Sequence, residues 1–236
     1  MLARGAILPL FLAFAVLACP ATASAAVQVT LYGESLCPYC RAWILEQASD
    51  LFDQGFSSYI EFRYVAWGNA HRSQDGPQCQ HGAAECAGND LINCAQALYP
   101  AQALWFPYVR CLARTGTRAP VAGSDACAAS SGLAASALIE CARGDRARRL
   151  AAAAREATAA LRPRHEGVPW VLVNGVALGD HAELVRSYVC AAVPAGAPRP
   201  AACFDPPTSA AARATPGLLR LAWRGVLGRW WAPAAW

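Results

Sequence analysis

The chain contains no lysine, a single methionine and few charged residues. All 20 basic residues are arginine, spread along the chain without a run of five or more. A net charge of +4 in that arrangement does not favour nucleic acid as a partner. The hydrophobic fraction of 56% over 236 residues suffices for the core of one or two domains, which excludes extended disorder.

Long hydrophobic runs are also scarce, and the clearest one lies at the amino terminus. Arg4 precedes an apolar run over Ile7–Leu17, and the small-residue triplet Ala23–Ala25 follows it. A bilayer-spanning helix needs about 20 residues, so this run is too short to span and has the length of a secretory signal. Residues 1–26 are therefore predicted to be a removable signal peptide.

Cysteine, by contrast, is abundant, with 11 residues in the chain. Removal of the signal takes Cys19 with it and leaves an even number, which suits disulfide pairing in an oxidising compartment. An alternative concerns Val16–Cys19, which loosely resembles a bacterial lipoprotein box in which Cys19 would carry a lipid anchor.

The first part of the mature chain alternates between strand and helix signals. Val27–Tyr32 has the period of a strand that Gly33 closes, and Tyr59–Trp67 predicts a second strand in the same way. Between them, Cys37-Pro38-Tyr39-Cys40 leads into a run of helix-forming residues. A strand, a Cys-X-X-Cys motif at a helix start and a second strand are the opening of a thioredoxin-type unit.

A long insertion follows these elements, over about residues 69–164. Its pattern predicts helical pieces separated by clusters of Gly, Pro and Ser, of which Asp145–Leu161 is the clearest helix. The insertion holds six cysteines: Cys79, Cys86, Cys94, Cys111, Cys127 and Cys141.

Strand character then returns. Val168–Val173 and Val176–Leu178 are predicted strands joined by the hairpin signal Asn174-Gly175, and Ala182–Cys190 is a predicted helix. The order βαβ, insertion, ββα predicts an α/β, thioredoxin-like fold over residues 27–193 with a large cysteine-rich helical insertion.

The remaining residues, 194–236, are predicted to be a Pro- and Ala-rich linker followed by a Trp- and Arg-rich tail. Leu218–Trp236 holds four of the eight tryptophans together with three arginines, which argue against a membrane span. Its apolar rows on a helical wheel would suit contact with a membrane surface, and a flexible or proteolytically removed tail is the alternative.

The chemistry of the chain is expected at Cys37 and Cys40. A cysteine at a helix N-terminus has its thiolate stabilised by the helix dipole and by free backbone N–H groups. Cys40 lies one turn further on, so it can resolve a mixed disulfide that Cys37 forms with a substrate. The alternatives for this pair are a plain stabilising disulfide or half of a zinc site.

Val168 and Pro169 are the predicted substrate-binding residues. In thioredoxin-like folds a cis-proline before the third strand packs against the Cys-X-X-Cys sulfurs, and the residue before it offers backbone to the substrate; Pro169 is the proline in that position. The alternative is an ordinary trans proline at an edge strand. His165 and Glu166, just upstream, are candidates for tuning protons near Cys37 or simply a solvated pair.

One segment carries a family resemblance. Cys79-Gln80-His81-Gly82, then Glu85-Cys86, Asn89 and Cys94 match at every position the signature of the gamma-interferon-inducible lysosomal thiol reductase (GILT) family. Further resembling stretches lie around Cys141, around Pro169 and at the closing Cys190 and Cys203, so the resemblance covers about residues 27–203.

The resemblance implies a thiol reductase of an acidic, lysosome-like or vacuolar compartment, or a secreted one, that reduces disulfides in protein substrates. It implies Cys37 and Cys40 as catalytic residues, no metal and no cofactor beyond an external thiol as electron donor. His81 and Glu85 are expected to be structural. The chain has no Asn-X-Ser/Thr sequon, so glycan-dependent targeting is unsupported.

The other eight cysteines are expected to form four structural disulfides. A zinc site from Cys79, His81, Cys86 and Cys94 is the alternative, which oxidising export disfavours. Cys190 is expected to pair with Cys203, since the pair closes a short loop, and the pairing of the other six cysteines, for which about 15 arrangements are possible, stays open. The candidate disulfide cysteines are Cys79, Cys86, Cys94, Cys111, Cys127, Cys141, Cys190 and Cys203.

Two rival functions remain open from the sequence. The same Cys-X-X-Cys motif serves a disulfide oxidase or isomerase when its reduction potential is higher. A non-catalytic, disulfide-braced binding module is the other rival. Reduction in an acidic compartment makes a specific demand, because a thiol with the ordinary pKa of about 8.5 is almost fully protonated near pH 5; Cys37 is therefore predicted to have a depressed pKa.

Overall fold

The structure, a computed structural model, describes residues 26–74, 76–115 and 120–204. The predicted signal peptide up to Ala25, including Cys19, and the predicted tail from residue 205 onward lie outside these residues. The strands are β1 Val27–Gly33, β2 Ile60–Ala66, β3 His71–Ser73, β4 Gly76–Gln78, β5 Trp170–Val173 and β6 Val176–Ala177. The α-helices are α1 Pro38–Trp43, α2 Ser49–Asp53, α3 Ala83–Leu98, α4 Gln102–Arg114, α5 Pro120–Ser130, α6 Ala135–Arg143, α7 Asp145–Ala159 and α8 Val185–Ala192.

A four-stranded sheet in the order β2-β1-β5-β6 forms the centre of the molecule. β1 runs parallel to β2, with Val29 opposite Phe62, and antiparallel to β5, with Leu31 opposite Val171. The apolar side chains Val29 and Leu31 of β1 are completely buried in a core that also contains Leu51 of α2 and Val185 of α8. Together with the α1 crossover between parallel strands, this order confirms the predicted thioredoxin-like fold.

The helix that follows Cys37 is longer than α1 alone. A π-helical turn over Ile44–Ala48 connects α1 to α2, so the helical segment continues from Pro38 to Asp53. Pro38 suits the first helical position because its missing N–H has no partner there. Trp43 anchors the helix, since its indole Nε1 donates to the carbonyl of Ala182 at 2.9 Å.

The inserted helices share the core of the sheet and do not form a separate core. Phe62 of β2 contacts Trp105 and Phe106 of α4, with ring centroids 5.6 and 5.7 Å apart, and Phe106 stacks on Phe52 at 3.8 Å. Aromatic pairs of this kind add to the area they bury. The insertion is therefore part of the same folded unit as the Cys-X-X-Cys motif.

The prediction that the insertion is helical is wrong at its start. The first elements after residue 69 are β3 and β4, which pair as a small antiparallel hairpin with His71 opposite Gln78. Both strands are three residues long and consist of polar residues, glycine and proline. They lack the alternation of apolar and polar residues by which a strand is recognised in a sequence.

The predicted end of the domain at residue 193 is also too early. A disulfide joins Cys190 of α8 to Cys203, which lies in a 3₁₀ turn over Ala201–Cys203, and the side chain of Ala202 is buried against the core. Residues up to Phe204 therefore belong to the folded unit. The Pro- and Ala-rich composition that indicated a linker instead reflects an irregular segment fastened by this disulfide.

Eight cysteines pair, as Cys79–Cys86, Cys94–Cys141, Cys111–Cys127 and Cys190–Cys203. Cys79, Cys86 and Cys94 are thus occupied, and the zinc alternative that used them is wrong. Four disulfides fit passage through an oxidising secretory compartment. Within the part of the chain that the structure describes, no helix has the length and hydrophobicity that a membrane crossing requires.

Candidate active site

Among the cysteines of the described ranges, Cys37 and Cys40 are the two free thiols. Cys37 is the N-cap residue of α1, so the backbone N–H groups of the first helical turn point toward its sulfur, while Cys40 lies inside that turn. Cys37 is 5% exposed and Cys40 is not exposed at all. Both thiols are therefore buried, and Cys37 is the one that keeps a small exposed area.

The environment of Cys37 favours the thiolate, as the sequence predicts. The thiol of Cys40 donates a hydrogen bond to the Cys37 sulfur, and burial opposes this effect. The backbone N–H groups of Cys40 and Tyr39 and the positive charge of His81 add to the stabilisation. Together these interactions lower the pKa of Cys37 to about 6, so a substantial fraction is ionised in mildly acidic solution.

The environment of Cys40 has the opposite effect. Burial raises the pKa of the Cys40 thiol well above its usual value, and the neighbouring Cys37 and the carboxyl of Glu34 raise it further. Gly33 makes room for this sulfur, since a β-carbon at that position would lie 3.0 Å from Cys40 Sγ. The two thiols are thus arranged for different roles, with Cys37, which keeps a small exposed area, as the nucleophile and the fully buried Cys40 as its protonated partner.

The Val168–Pro169 peptide lies beside Cys37, through the carbonyl group of Val168. The peptide bond between them is cis, and the Cys37 sulfur is 3.8 Å from the carbonyl oxygen of Val168. The long insertion separates these residues from Cys37 by 131 positions in the chain, and the pairing of β5 with β1 brings them together.

Glu34 is a part of the site that sequence reasoning missed. Its side chain is completely buried, and its backbone N–H lies 3.5 Å from Cys40 Sγ. Burial and the nearby Glu85 raise the pKa of Glu34 to about 7. Gly68, with a φ of +58°, accommodates the carboxyl group, since a β-carbon there would lie 2.9 Å from Glu34 Cδ.

The segment that carries the family signature packs behind the thiols and holds the loop before Cys37. Asn89 accepts a hydrogen bond from the backbone N–H of Ser35 at 2.8 Å, and the Ser35 hydroxyl donates to the Glu85 carbonyl at 3.0 Å. Glu85 also accepts two hydrogen bonds from His81, from its backbone N–H at 3.0 Å and from ring atom Nδ1 at 2.5 Å. These residues therefore position the loop that leads to Cys37, a structural role of the kind expected for His81 and Glu85.

Glu34, His81 and Glu85 bring three ligand-type atoms within 4.8 Å of one another. The His81 ring nitrogen and the Glu85 carboxylate are already hydrogen-bonded to each other. We interpret the cluster as an acid–base group of two buried carboxyls and an exposed imidazole, because a metal ion would have to replace that bond.

A cleft of about 610 Å³ opens between Tyr39 of α1 and the Val168–Pro169 loop. Tyr39, Trp43, Val168, Pro169 and Trp170 contribute apolar surface to its lining. The lining also includes four carboxylates, Glu46, Glu166, Asp180 and Glu183, and no arginine or histidine. Glu166 thus belongs to this surface, while His165 is half-buried and its pKa is lowered by burial and by Arg164.

The chain is similar to known proteins in both sequence and fold. The family model described as gamma interferon inducible lysosomal thiol reductase (GILT) matches residues 28–131. A gamma-interferon-responsive lysosomal thiol protein of Arabidopsis thaliana is 33% identical over 167 residues, which are 70% of this chain and 69% of the relative. The gamma-interferon-inducible lysosomal thiol reductase of Mus musculus is 33% identical over 177 residues, which are 72% of this chain and 69% of the relative.

Among solved structures, BdbD from Bacillus subtilis in its oxidised form aligns with a TM-score of 0.51 at 13% sequence identity. The alignment covers 69% of this chain and 85% of BdbD, and it supports the fold alone. The sequence relatives carry more, because their identity extends over more than two thirds of their own length. The chain belongs to the gamma-interferon-inducible lysosomal thiol reductase (GILT) family.

Proposed function

We propose that this protein is a thiol–disulfide oxidoreductase that reduces disulfide bonds of protein substrates at Cys37 and Cys40. The observation that carries the proposal is the opposite shift in pKa of two neighbouring thiols. The pKa of Cys37, beside the Val168 carbonyl, is lowered, whereas the pKa of Cys40, buried one turn along the helix, is raised. The names of the relatives support the same activity.

The reaction proceeds in two exchanges. The Cys37 thiolate attacks one sulfur of the substrate disulfide, forms a mixed disulfide and releases the other substrate sulfur as a thiolate. Cys40 then attacks Cys37, which forms the Cys37–Cys40 disulfide and releases the second substrate sulfur. Two electrons pass from the enzyme dithiol to the substrate, and an external thiol returns the enzyme to its reduced state.

The compartment is part of the proposal. Because the pKa of Cys37 is about 6, part of this thiol stays ionised and reactive in mildly acidic solution. The four structural disulfides form and persist in the oxidising compartments of the secretory route. A lysosome-like or vacuolar compartment, or the extracellular space, accommodates both properties.

Replacement of the nucleophile tests the proposed activity. The variant Cys37→Ser should reduce insulin no faster than dithiothreitol alone, followed as turbidity with dithiothreitol as donor, because its hydroxyl cannot form the mixed disulfide. Cys40→Ser should form that adduct and release it only slowly. A Cys37→Ser variant that reduced insulin as fast as the parent protein would rule out the proposal in favour of a non-catalytic module.

The acidic cleft yields a prediction about substrate preference. A disulfide peptide whose cysteine is flanked by arginines should be reduced with a kcat/KM about three- to tenfold above that of a glutamate-flanked peptide, since complementary charge accelerates encounter. The double variant Glu166→Gln/Glu183→Gln should reduce this preference to less than twofold. Stopped-flow kinetics at low and high salt measure the effect.

The matched control is Glu61→Gln/Glu140→Gln, which removes the same charge from exposed positions outside the cleft. It should retain the preference of the parent protein. Equal rates for the two peptides in the parent protein, or an equal loss in both double variants, would contradict a role for the cleft.

A further inference from the structure

The Cys79–Cys86 disulfide lies at the start of α3, in the segment that carries the family signature. Both of its cysteines are partly exposed, whereas Cys94 and Cys141 are buried. Among the four disulfides of the described residues it closes the shortest loop, with a sequence separation of 7 against 13, 16 and 47. A short loop restricts the unfolded chain least, so the protein loses the least unfolding free energy when this bond opens. The disulfide is therefore one that a thiol can reach while the rest of the fold stays intact.

One sulfur of this disulfide contacts a side chain that reaches the loop before the nucleophile. The amide of Asn89 donates from Nδ2 to Cys79 Sγ at 4.0 Å. The Oδ1 atom of the same amide accepts the backbone N–H of Ser35 at 2.8 Å, and Ser35 lies two positions before Cys37. Asn89 is itself buried. A single side chain thus bridges the disulfide and the loop that leads to Cys37.

The other sulfur belongs to the first turn of α3. Cys86 follows Glu85, whose backbone carbonyl accepts the Ser35 hydroxyl at 3.0 Å. The Glu85 carboxylate also holds His81, which lies inside the loop that the disulfide closes. When the covalent bond opens, hydrogen bonds alone keep this loop and the first turn in place. Both contacts of α3 with Ser35 therefore depend on a turn that the disulfide fastens.

The segment that the disulfide closes also contributes charge near the nucleophile. The titratable groups that interact with Cys37 are Cys40 of α1, His81 of the closed segment, Glu34 after β1 and Tyr64 of β2. The hydrogen bond from Cys40 lowers the pKa of Cys37 most, and the positive charge of His81 lowers it further. His81 is the one of these four groups that lies between the two disulfide cysteines. Loosening of the segment therefore withdraws a stabilising charge from the Cys37 thiolate.

We propose that the Cys79–Cys86 disulfide is a second redox-sensitive site, whose reduction by an external thiol lowers the reactivity of Cys37 through Asn89 and Ser35; this inference rests on the proposed function. An external thiolate attacks one of the two sulfurs, so the Cys79–Cys86 bond breaks and a mixed disulfide forms. A second external thiolate attacks the external sulfur of that adduct and leaves as an external disulfide. Two electrons and two protons enter the protein, and both cysteines become thiols. The reverse exchange closes the site again.

Timed reduction of the parent protein tests whether the site opens. In dithiothreitol at pH 7, with acid quench, alkylation and peptide mass mapping, Cys79–Cys86 should open about tenfold faster than the buried Cys94–Cys141, since exchange rates depend on access. Samples moved to pH 5 and freed of reductant are then alkylated with iodoacetamide. Cys37 should react about tenfold more slowly once Cys79–Cys86 is open, and reoxidation should restore the parent rate.

The variant Cys79→Ala/Cys86→Ala opens the site permanently. The midpoint of Cys37 alkylation should rise by about one pH unit, so its rate should fall about tenfold at pH 5 and less than about twofold at pH 9. The matched control Cys190→Ala/Cys203→Ala removes the other disulfide whose cysteines are both partly exposed, and it should keep the parent midpoint. Asn89→Ala should raise the midpoint with the disulfide intact, because it removes the bridge to Ser35.

Two results would each overturn the inference and leave the proposed function intact. The first is opening of Cys79–Cys86 no faster than Cys94–Cys141, and the second is an unchanged rate of Cys37 alkylation at pH 5 after Cys79–Cys86 opens in the parent protein. The second result is read from the parent protein alone, so it decides the question even where the double variant does not fold. Failure of the parent protein to reduce insulin through Cys37 would instead overturn the proposed function itself.

Discussion

Alkylation of the reduced protein by iodoacetamide should titrate with a midpoint near pH 6, about 2.5 pH units below an ordinary thiol. The cause is the hydrogen bond from the Cys40 thiol, supported by two backbone N–H groups and His81 against the opposing effect of burial. The folded-state pKa is lowered, so protonation is disfavoured: thiolate dominates above pH 6 and falls tenfold per unit below it. At pH 5 roughly a tenth of Cys37 remains ionised, against fewer than one part in a thousand for a thiol of pKa about 8.5.

Cysteine variants assign this titration. Cys37→Ser should abolish the fast alkylation, since Cys40 is buried and protonated. Cys40→Ala should move the midpoint upward, because it removes the leading hydrogen bond, while Cys40→Ser should move it less. The same linkage predicts that thiolate stabilisation of the reduced fold is present at high pH and declines as the pH falls through 6. A single titration above pH 8 would contradict the assigned environment and reduction in an acidic compartment.

Removal of the Cys94–Cys141 disulfide should cost about 4 kcal/mol of unfolding free energy. This bond joins α3 to α6 across 47 residues, the widest separation among the four pairs, so its loss restores the most freedom to the unfolded chain. The double variant Cys94→Ala/Cys141→Ala should melt roughly 8 to 16 °C lower than the parent. Urea unfolding followed by far-UV circular dichroism measures the free energy directly.

The control is Cys190→Ala/Cys203→Ala, whose loop spans 13 residues. The same chain-entropy relation gives a loss of about 3 kcal/mol for that pair, so Cys94→Ala/Cys141→Ala should lose more unfolding free energy than this control. A loss below 1 kcal/mol for Cys94→Ala/Cys141→Ala would show that the packing of α3 and α6 holds the insertion without the covalent bond.

The regular elements could be predicted from the sequence wherever burial imposes a period. β1 is buried on alternate residues and β2 on most of them, so apolar side chains recur at every second position of both. The hairpin of β3 and β4 has no such period, since none of its six residues is buried. The end of the domain was missed because the contact that fixes Ala202 is a disulfide across an irregular segment, which composition alone does not reveal.

The candidate site divides in the same way. The spacing of Cys37 and Cys40 is local information, and a proline before a strand suffices to indicate Pro169. Glu34 carries no such signal, since Gly-Glu-Ser before the motif reads as a polar loop. Its burial depends on Gly68 and on the signature segment, which are distant in the chain and meet only in the fold. The match of His81 and Glu85 to the family signature indicates that this segment matters, but a signature does not identify the residues that it contacts in the fold.

The low pKa of Cys37 is a property of the dithiol alone, because the Cys37–Cys40 disulfide has no thiolate to stabilise. Reduction of the Cys37–Cys40 disulfide therefore takes up two protons with its two electrons below pH 6 and one proton above it. Its midpoint potential accordingly changes by about 60 mV per pH unit below pH 6 and by about 30 mV per pH unit above it. An ordinary substrate dithiol follows the steeper slope up to about pH 8. Acidification from pH 8 to pH 6 thus favours electron flow from protein to substrate by about 60 mV, roughly a hundredfold in the equilibrium constant.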